Sequence, residues 1–264
     1  MTQPTNKLPE LMGTTSVPEP QRSNTADRYL ETIYCLAGEG ETVRPSRIAE
    51  WLHVSAPTVS VTLQKLAHDG WIEVASNRSV SLTTAGESAA TATVRRHRIL
   101  ERWLTDVLGF DWVAAHIEAD KLGAAMSDEV LNRLDEALGQ PTTCPHGNVI
   151  PGREVTYGEL ISLADLEPGK STIVRRISEI LEHEALQVLY QLEANDIRPG
   201  STVEVSPGDG SVGAVAVSVG QHSAALGIDT ARLIWVEAVD AEARPDRGRR
   251  IVTNGPVDHR NGER

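Results

Sequence analysis

Histidine and carboxylate side chains recur at helical spacing in the middle of the chain. His97 and Glu101 are four residues apart, and His116 and Asp120 repeat that interval. Residues four apart lie on one face of a helix about one turn from each other, so each pair can reach a single ion. Two imidazoles with several carboxylates suit Mn²⁺, Fe²⁺ or Zn²⁺, and the lack of a thiolate in these pairs argues against a soft-metal site.

A third acidic pair, Glu179 and Glu182, follows much later in the chain at an interval of three. Taken singly, each of these pairs is also typical of a solvated helix face. Histidine and carboxylate clusters build hydrolase sites as well as sensor sites, so a metal-dependent hydrolase is an alternative. Neither an HExxH nor a GxSxG pattern occurs in the chain, which disfavours that alternative.

The elements around these candidate metal ligands begin with residues 44–82, whose pattern is typical of a DNA-binding unit. A first helix carries Ile48 and Leu52 on one face, and the turn after it delivers Ser55 as the cap of a second helix, in which Pro57 fits the first turn. Two short alternating runs, 71–74 and 80–83, predict a β-hairpin wing. The other interpretation is an ordinary helical hairpin beside a β-hairpin, but the order of elements favours a winged helix-turn-helix.

The second helix of this unit buries one apolar stripe and turns short polar and methyl groups outward. Such groups can contact base edges and thymine methyls in a major groove. The turn of the wing places Arg78 near a phosphate backbone. The residues predicted to contact DNA are Arg47, Ser55, Pro57, Thr58, Ser60, Val61, Lys65 and Arg78.

The charge distribution permits a nucleic-acid partner although the net charge is −12. Residues 23–100 hold eight Lys or Arg and eight Asp or Glu, so this part of the chain has no net charge and the acidity lies elsewhere. Local cations at phosphate distance govern DNA binding more than the net charge does. We therefore expect double-stranded DNA as a partner, with modest non-specific affinity.

Cysteine content and hydropathy point to a cytoplasmic protein. Two cysteines, Cys35 and Cys144, make no disulfide framework and suit a reducing compartment. No apolar run approaches the length of a membrane span, and the first 22 residues lack the regions of a signal peptide. Being rich in Pro, Thr and Gln, those residues predict a disordered tail.

A helical platform follows the wing. The capping-box pattern at 84–87 predicts a long helix over 88–108, Asp111 caps a second helix over 112–124, and Ser127 caps a third that stops at Gly139. The platform has more apolar positions than one small bundle needs, which predicts a homodimer interface; the alternative is that they only fill the core. These positions are Ile99, Trp103, Leu104, Val107, Leu108, Leu131, Leu134 and Leu138.

The remainder of the chain predicts a small, partly open β-barrel. Pro and Gly residues at 140–157 indicate a linker, and β-like runs at 172–177, 202–205, 212–219 and 233–239 surround a helix near 182–192. The fold class is α+β. The predicted parts are a disordered tail (1–22), a winged-helix domain (23–84), a helical domain (85–140), a linker (141–157), a barrel domain (158–240) and a flexible tail (241–264).

Several ordered motifs together resemble the diphtheria toxin repressor family of metal-dependent transcriptional regulators. The resemblance covers residues 25–239, and its most specific parts are YLETIY at 29–34, SAPTVS at 55–60, RHR at 96–98 with Glu101, MSDEV at 126–130 and PHGN at 145–148 with IPG at 150–152. It implies a winged-helix domain, a helical dimerisation and metal domain, and an SH3-like barrel of the ferrous-iron-transport accessory type. It also implies a repressor that grips operator DNA as dimers when metal is bound.

The resemblance implies two metal sites. The ancillary site corresponds to His97, Glu101, His116, Glu179 and Glu182. The primary site draws on the positions of Arg28, Asp120, Gly123 and Ala124, where only Asp120 can still bind metal. Within the resemblance Cys144 and His146 are loop residues, and we do not expect them to hold metal.

A guanidinium offers a physical substitute for the missing primary ion. We expect Arg28 and Asp120 to form an ion pair that bridges two helices much as a cation would. The alternatives are that Arg28 points to solvent or to a phosphate, and that Asp27 supplies a carboxylate to a weak, altered site. Val61 stands where relatives often have glutamine and cannot hydrogen-bond a base, so the preferred operator should differ from theirs.

The sequence thus predicts a non-enzymatic, metal-dependent repressor of metal homeostasis genes that senses Mn²⁺ or Fe²⁺, with Zn²⁺ as a further candidate. A regulator of the same fold that no longer needs metal is the close alternative. We expect operator DNA and a second copy as partners, with no membrane and no small-molecule substrate.

Overall fold

A computed structural model describes residues 23–206, 213–238 and 250–252. They form a winged-helix domain, a helical platform and a barrel domain that share buried segments. The tail predicted at 1–22 lies outside the described residues, as does most of the tail at 241–264. Within the latter, strand β10 (Arg250–Val252) pairs antiparallel with β3 (Val155–Tyr157).

The winged-helix domain forms as its sequence pattern predicts. It comprises α1 (Asn24–Gly38), α2 (Pro45–Leu52), α3 (Ala56–His68), β1 (Ile72–Val74) and β2 (Val80–Leu82). The side chain of Ser55 accepts a hydrogen bond from Thr58 N and so caps α3. His53 adopts a left-handed conformation with φ 52°, which makes the turn between α2 and α3 tight. The apolar faces of the three helices and the wing close over one core.

The platform consists of α4 (Thr84–Asp106), α5 (Trp112–Gly123) and α6 (Asp128–Ala137). The cap of α4 is Thr83, whose side chain accepts from Gly86 N at 3.1 Å, one residue earlier than the predicted capping box. Gly86 lies against the wing so closely that a Cβ there would meet the carbonyl oxygen of Trp71 at 1.9 Å. The start of α4 is therefore fixed directly to the DNA-binding domain.

The segment 141–157 is largely irregular, as its Pro and Gly content predicted, but much of it is buried. Cys144, His146, Asn148 and Ile150 are buried, and a tight turn joins Cys144 N to Asn148 O at 2.8 Å. The backbone of His146 accepts from Ile177 N at 2.8 Å, which ties the turn to the barrel. The segment fills the space between platform and barrel because its few apolar and polar side chains find partners on both.

The barrel domain is built on a six-stranded antiparallel sheet in the order β4-β9-β5-β6-β7-β8. Sequence periodicity located four of these strands and missed the two short or Ala-rich ones, β4 and β8. A 3-10 turn (Leu163–Asp165) and the short helix α9 (Ile228–Arg232) close the ends of the barrel. The strands are β4 (Leu160–Ser162), β5 (Ser171–Ile177), β6 (Thr202–Val205), β7 (Ala214–Val219), β8 (His222–Gly227) and β9 (Ile234–Glu237).

The helix predicted near 182–192 is two helices. Helix α7 (Glu179–Glu184) is capped by Ser178, and α8 (Leu186–Ala194) follows after a break at Ala185, whose φ and ψ are −136° and 50°. The break lets α7 leave the barrel and approach the other two domains. Glu179 and Glu182 thereby reach the interior of the molecule, where both are buried.

Most of the apolar surplus of the platform fills its own core, as the alternative interpretation held. Ile99, Leu104 and Leu131 are buried there, and Trp103, Leu134 and Leu138 pack against them. Val107 and Leu108 remain exposed at the end of α4. Three further apolar side chains of the platform are exposed: Phe110 just after α4, Ile117 on α5 and Val130 on α6. None of the helices in the described part of the chain is long and apolar enough to cross a membrane.

Two glycines of the segment 141–157 test how tightly it packs on the barrel. Gly147 and Gly152 both have positive φ, but a Cβ would meet Arg175 O at 2.1 Å only at Gly147, whereas Gly152 faces open space. Gly152→Ala should cost only the left-handed backbone strain, about 1–2 kcal/mol. Gly147→Ala should cost about 1–3 kcal/mol more because backbone must move to relieve the clash. Urea unfolding of both variants measures the difference, and equal losses would contradict the packing described.

Candidate metal centre

Three side chains from two platform helices converge on one point. His97 Nε2 lies 3.0 Å from Glu101 Oε1, His116 Nδ1 lies 3.0 Å from the same oxygen, and the two imidazole nitrogens are 3.1 Å apart. The four-residue spacing on α4 stacks His97 over Glu101, and α5 crosses α4 so that His116 completes the triangle. Three donor atoms this close can all bind one ion.

Glu101 is the most deeply buried acid of the group, with a side chain that is 0% exposed. Burial opposes its ionisation, but the imidazoles of His97, His116 and His146 outweigh burial and hold the pKa of its carboxyl well below the usual value. Burial would lower the pKa of His97, yet Glu101 and Asp120 raise it well above the ordinary value. Glu101 and His97 therefore each favour the charged form of the other.

A second group of ligands adjoins the far side of Glu101. His146 Nδ1 lies 3.8 Å from Glu101 Oε2, 3.3 Å from Glu182 Oε2 and 3.8 Å from Cys144 Sγ. All four residues are buried. Glu101 Oε2 has no hydrogen-bond partner in the described part of the chain although it is shielded from solvent. A buried carboxylate oxygen of this kind is ready to accept a cation.

Neighbouring groups fix the orientation of this second set. Asn148 donates from Nδ2 to Glu182 at 2.5 Å and to Ile177 O at 3.0 Å. The ring of Trp112 packs edge-on against His146 with 4.8 Å between centroids. Burial would lower the pKa of His146, but Glu182 and Glu101 raise it well above the usual value, whereas burial raises the pKa of Glu182 itself.

Glu179 has a permanent cation as its partner. Arg98 is buried and donates to both Glu179 and the carbonyl of Val149. Burial opposes ionisation of Glu179, but the guanidinium outweighs it and lowers the pKa of the carboxyl. Of the five predicted ancillary residues, the structure therefore brings His97, Glu101 and His116 together, places Glu182 beside His146, and engages Glu179 with Arg98.

The Arg28–Asp120 ion pair expected from the sequence is not formed. Asp120 Oδ1 lies 3.0 Å from His97 Nδ1 instead, and no ion pair joins Arg28 to Asp120 among the described residues. His97 reaches Asp120 instead because α4 packs directly against α5, which brings the imidazole within hydrogen-bond distance of the carboxylate. Arg96 instead joins the end of α5 to the start of α6. Its guanidinium donates to Gly123 O at 3.1 Å and to Asp128 at 2.5 Å.

A cavity of about 360 Å³ separates α1 from the platform at the expected primary site. Gly123 and Ala124 line it without filling it, together with Arg28 and Asp120. Glu31, on α1, lines the same cavity, and burial raises the pKa of its carboxyl to about 7. Its nearest charged neighbours include His97, Asp120 and Glu179, so a further acid faces the cluster from the DNA-binding domain.

The predicted DNA-contacting residues separate into two groups. The outward face of α3 is exposed as expected, and Val61 is 67% exposed; Arg78 is exposed at the tip of the wing with φ 66°. Arg47 is a correction: its guanidinium binds Glu41 and, across a domain boundary, Glu184. Because those carboxylates occupy it, Arg47 is a contact to the barrel and not a free cation for phosphate. The exposed residues that remain are Ser55, Pro57, Thr58, Ser60, Val61, Lys65 and Arg78.

The donor set fits a divalent metal ion of intermediate hardness. Two ligand atoms about 2.1 Å from one ion lie about 3.0 Å apart at right angles and about 3.4 Å apart at tetrahedral angles. The triangle formed by Glu101 Oε1 and the two imidazole nitrogens has edges of 3.0 to 3.1 Å, so all three donor atoms are close enough together to bind one divalent ion. Cys144 in the second set adds one soft donor once its thiol is deprotonated.

Sequence reasoning set His146 and Cys144 aside as loop residues, and it did not single out Glu31. The first two are separated from Glu101 by more than forty residues and lie in a segment whose breakers predicted a loop. The one sequence signal for a metal site there was the CxH pair close to Asn148. It indicates such a site only once the segment is known to be buried. Glu31 gave no signal, because a lone acid on an amphipathic helix is ordinarily solvated.

Family models match three consecutive parts of the chain. Residues 22–80 match the N-terminal DNA-binding domain of iron-dependent repressors, residues 83–152 their metal-binding and dimerisation domain, and residues 161–238 the FeoA domain. The iron-dependent repressor IdeR of Mycobacterium leprae is 36% identical over 229 residues, which are 82% of this chain and 98% of that protein. The diphtheria toxin repressor of Corynebacterium diphtheriae is 42% identical over 199 residues, which are 72% and 87% of the two proteins.

Solved structures give the same picture. A manganese-dependent transcriptional repressor in complex with manganese superposes with a TM-score of 0.70 at 33% identity, over 81% of this chain and all of that one. The manganese regulator SloR has a TM-score of 0.64 at 26% identity, over 80% of this chain and 97% of its own. These matches span all three domains, and the winged helix, helical platform and SH3-like barrel expected from the sequence are confirmed.

The raised pKa values of His97 and His146 predict proton-linked metal binding. An ion needs both imidazoles neutral, so it must displace protons that their carboxylate neighbours retain above the ordinary His pKa. Affinity for Mn²⁺ should therefore fall as pH decreases from 8 to 6, with proton release at pH 7. Titration calorimetry in buffers of different ionisation enthalpy measures that release. His222→Ala, an exposed barrel histidine, is the control and should change neither quantity.

Proposed function

The chain belongs to the iron-dependent repressor family of metal-dependent transcriptional repressors, and we propose that it senses Mn²⁺ or Fe²⁺ through the cluster around Glu101 to control metal homeostasis genes. The observation that carries this proposal is a fully buried carboxylate with one unpartnered oxygen, facing three imidazoles. Its relatives are named as repressors rather than enzymes. The proposed function does not require a nucleophile or a general base in a cleft.

Glu101 would be shared between two adjacent sets of donors. His97, His116 and Glu101 Oε1 form one set; Cys144, His146 and Glu182 with Glu101 Oε2 form the other. A bound ion would supply positive charge that no longer depends on imidazole protonation. Glu101 holds α4 to α5, and Glu182 holds α7 to the turn at 144–148. The cluster thus joins platform and barrel, and an ion that prefers the joined arrangement shifts the population toward it.

The cavity above the cluster supports a second, weaker ion position. We propose that Glu31 and Asp120 supply its carboxylates, in place of the side chains that Gly123 and Ala124 lack. An acid whose pKa lies near 7 is easily ionised by a nearby cation, so Glu31 can respond to one. Ligands from α1 and α5 would tie the DNA-binding domain to the platform. The degenerate primary position would then modify the response of DNA binding to metal, while the cluster around Glu101 would determine it.

The DNA-reading surface is the exposed face of α3 together with the wing. Ser60, Val61 and Lys65 project outward from α3, whereas Ser55 and Thr58 are partly engaged because their hydroxyls lie 2.8 Å apart. Arg78 at the wing tip is a cation suited to phosphate. We propose that Val61 contacts a thymine methyl in the operator. A second copy of the chain would supply the matching half-site.

Metal dependence of operator binding tests the proposal. Fluorescence anisotropy with a panel of palindromic duplexes at fixed salt should show tightening by Mn²⁺ or Fe²⁺ of at least about tenfold. His97→Ala, Glu101→Ala and His146→Ala should each lose most of this tightening because the shared carboxylate or an imidazole is gone. The control His222→Ala should retain it. Equal, tight binding with and without metal would instead favour the metal-independent regulator.

Dimerisation should depend on the apolar side chains left exposed at the end of α4. Leu108→Glu places a charge on the surface formed by Val107, Leu108 and Phe110, so the dimer should dissociate at least tenfold more readily, by roughly 1.4 kcal/mol or more. Light scattering over a concentration series measures the change. Val74→Glu, at an exposed apolar position of the wing, is the control and should remain dimeric. A dimer unaffected by Leu108→Glu would place the interface elsewhere.

A further inference from the structure

The barrel domain contacts the DNA-binding domain directly through residues 176–184. Arg176 donates to both oxygens of Glu39, at 2.9 and 3.0 Å, and Glu39 also accepts from the backbone N–H of Glu179 at 3.1 Å. Glu39 follows the last residue of α1 and its side chain is buried. The end of α1 is therefore held to the point where β5 passes into α7.

The remainder of α7 docks on the first helix of the helix-turn-helix. The ring of His183 stacks on Trp51, with centroids 4.4 Å apart and planes within 6°, and its Nε2 lies 3.0 Å from Trp51 O. Glu184 forms an ion pair with Arg47, one turn earlier on α2. Ile180 packs against the apolar core of the DNA-binding domain. One stack, one ion pair and one apolar anchor thus join α7 to the DNA-binding domain, through residues that are 132 and 137 positions apart in the stack and the ion pair.

The same six-residue helix carries Glu179 and Glu182 to the metal cluster. Glu182 Oε2 lies 3.3 Å from His146 Nδ1, and Glu179 binds Arg98 of α4. Positions 179, 182 and 183 lie within one and a quarter turns of one short helix, so a shift of its backbone moves all three together. Any movement of α7 that brings Glu182 toward an ion also moves His183 and Glu184 against α2.

We propose, on the basis of the function proposed above, that α7 transmits occupancy of the Glu101 cluster to the helix-turn-helix, with Ile180, His183 and Glu184 as positioning residues. The contacts suit a reversible coupling. The Arg47–Glu184 pair is partly exposed, and such pairs contribute little individually. The stack and the apolar anchor are single contacts, whereas the bidentate pair of Arg176 with Glu39 fixes the chain before α7 begins. The end of α7 at His183 and Glu184 is therefore the part of this interface that ion binding can shift against α2.

Glu184→Lys and His183→Ala test the proposal in the full-length protein. Operator affinity is measured with and without Mn²⁺ at fixed salt, and Mn²⁺ stoichiometry is measured by calorimetry on the same samples. Each variant should bind Mn²⁺ with unchanged stoichiometry, while the metal-induced tightening on DNA falls at least about fivefold, the lower end of typical allosteric coupling. His183→Phe keeps the stack and should retain more of the tightening than His183→Ala.

Asp229→Lys is the matched control for Glu184→Lys. It makes the same charge change at another ion-paired acid of the barrel, which pairs with Arg232 and contacts neither cluster nor α2. This variant should keep the wild-type tightening. If His183→Ala does not fold, Glu184→Lys decides the matter, because its side chain lies at the margin of the interface.

The outcomes separate the two proposals. A wild-type protein whose DNA affinity ignores Mn²⁺ would overturn the proposed function itself. Wild-type tightening that survives unchanged in both Glu184→Lys and His183→Ala would leave the cluster as sensor and overturn the role of α7. Loss of Mn²⁺ binding together with tightening would also overturn it, since these side chains would then be part of the metal site.

Discussion

The buried charge of Glu101 is the interaction on which the arrangement of the three domains depends. A carboxylate shielded from solvent is costly unless cations or donors surround it, and its partners here come from two platform helices and from the turn at 144–148. Glu182, brought in by the barrel, shares His146 with it. The domains meet where they do because this group of charges is stable only when all of its members are present.

Two kinds of positive charge balance these carboxylates, and they differ in permanence. Arg98 and Arg96 hold Glu179 and the end of α5 with guanidinium groups that do not titrate. His97 and His146 hold Glu101 and Glu182 with imidazoles, which titrate and can release a proton to solvent when they bind a metal ion. Ion pairs that involve arginine therefore lie next to ion pairs that involve histidine. A metal ion can replace the charge of the imidazoles while the arginine ion pairs stay in place.

Contacts that reach the helix-turn-helix from the interior are as important as those on its outer face. Arg47 and Trp51 lie on α2, and both are engaged by α7 of the barrel. Gly86 meets the wing at its backbone, so α4 has little freedom relative to the DNA-binding domain. The recognition helix is thus oriented by two elements, one from the platform and one from the barrel, and both elements lead back to the residues around Glu101.

The sequence by itself determined the local features of this protein. Helix caps such as Ser55, the outward face of α3, the wing and the one-turn spacing of His97 and Glu101 follow from periodicity and hydrogen-bonding needs within a few residues. The family motifs added the order of the domains. Four of the barrel strands were located in the same way, because alternation with period two is also local.

Only the tertiary structure decided which distant residues share a partner. It placed His146 beside Glu101, gave Arg47 to Glu184, and assigned Asp120 to His97 rather than to Arg28. Spacing along the chain carries no information about these choices, since the partners are 23 to 137 residues apart and several carboxylates compete for each cation. Which pair forms depends on how helices cross and on which charge burial makes most costly to leave alone, and both are properties of the packed molecule.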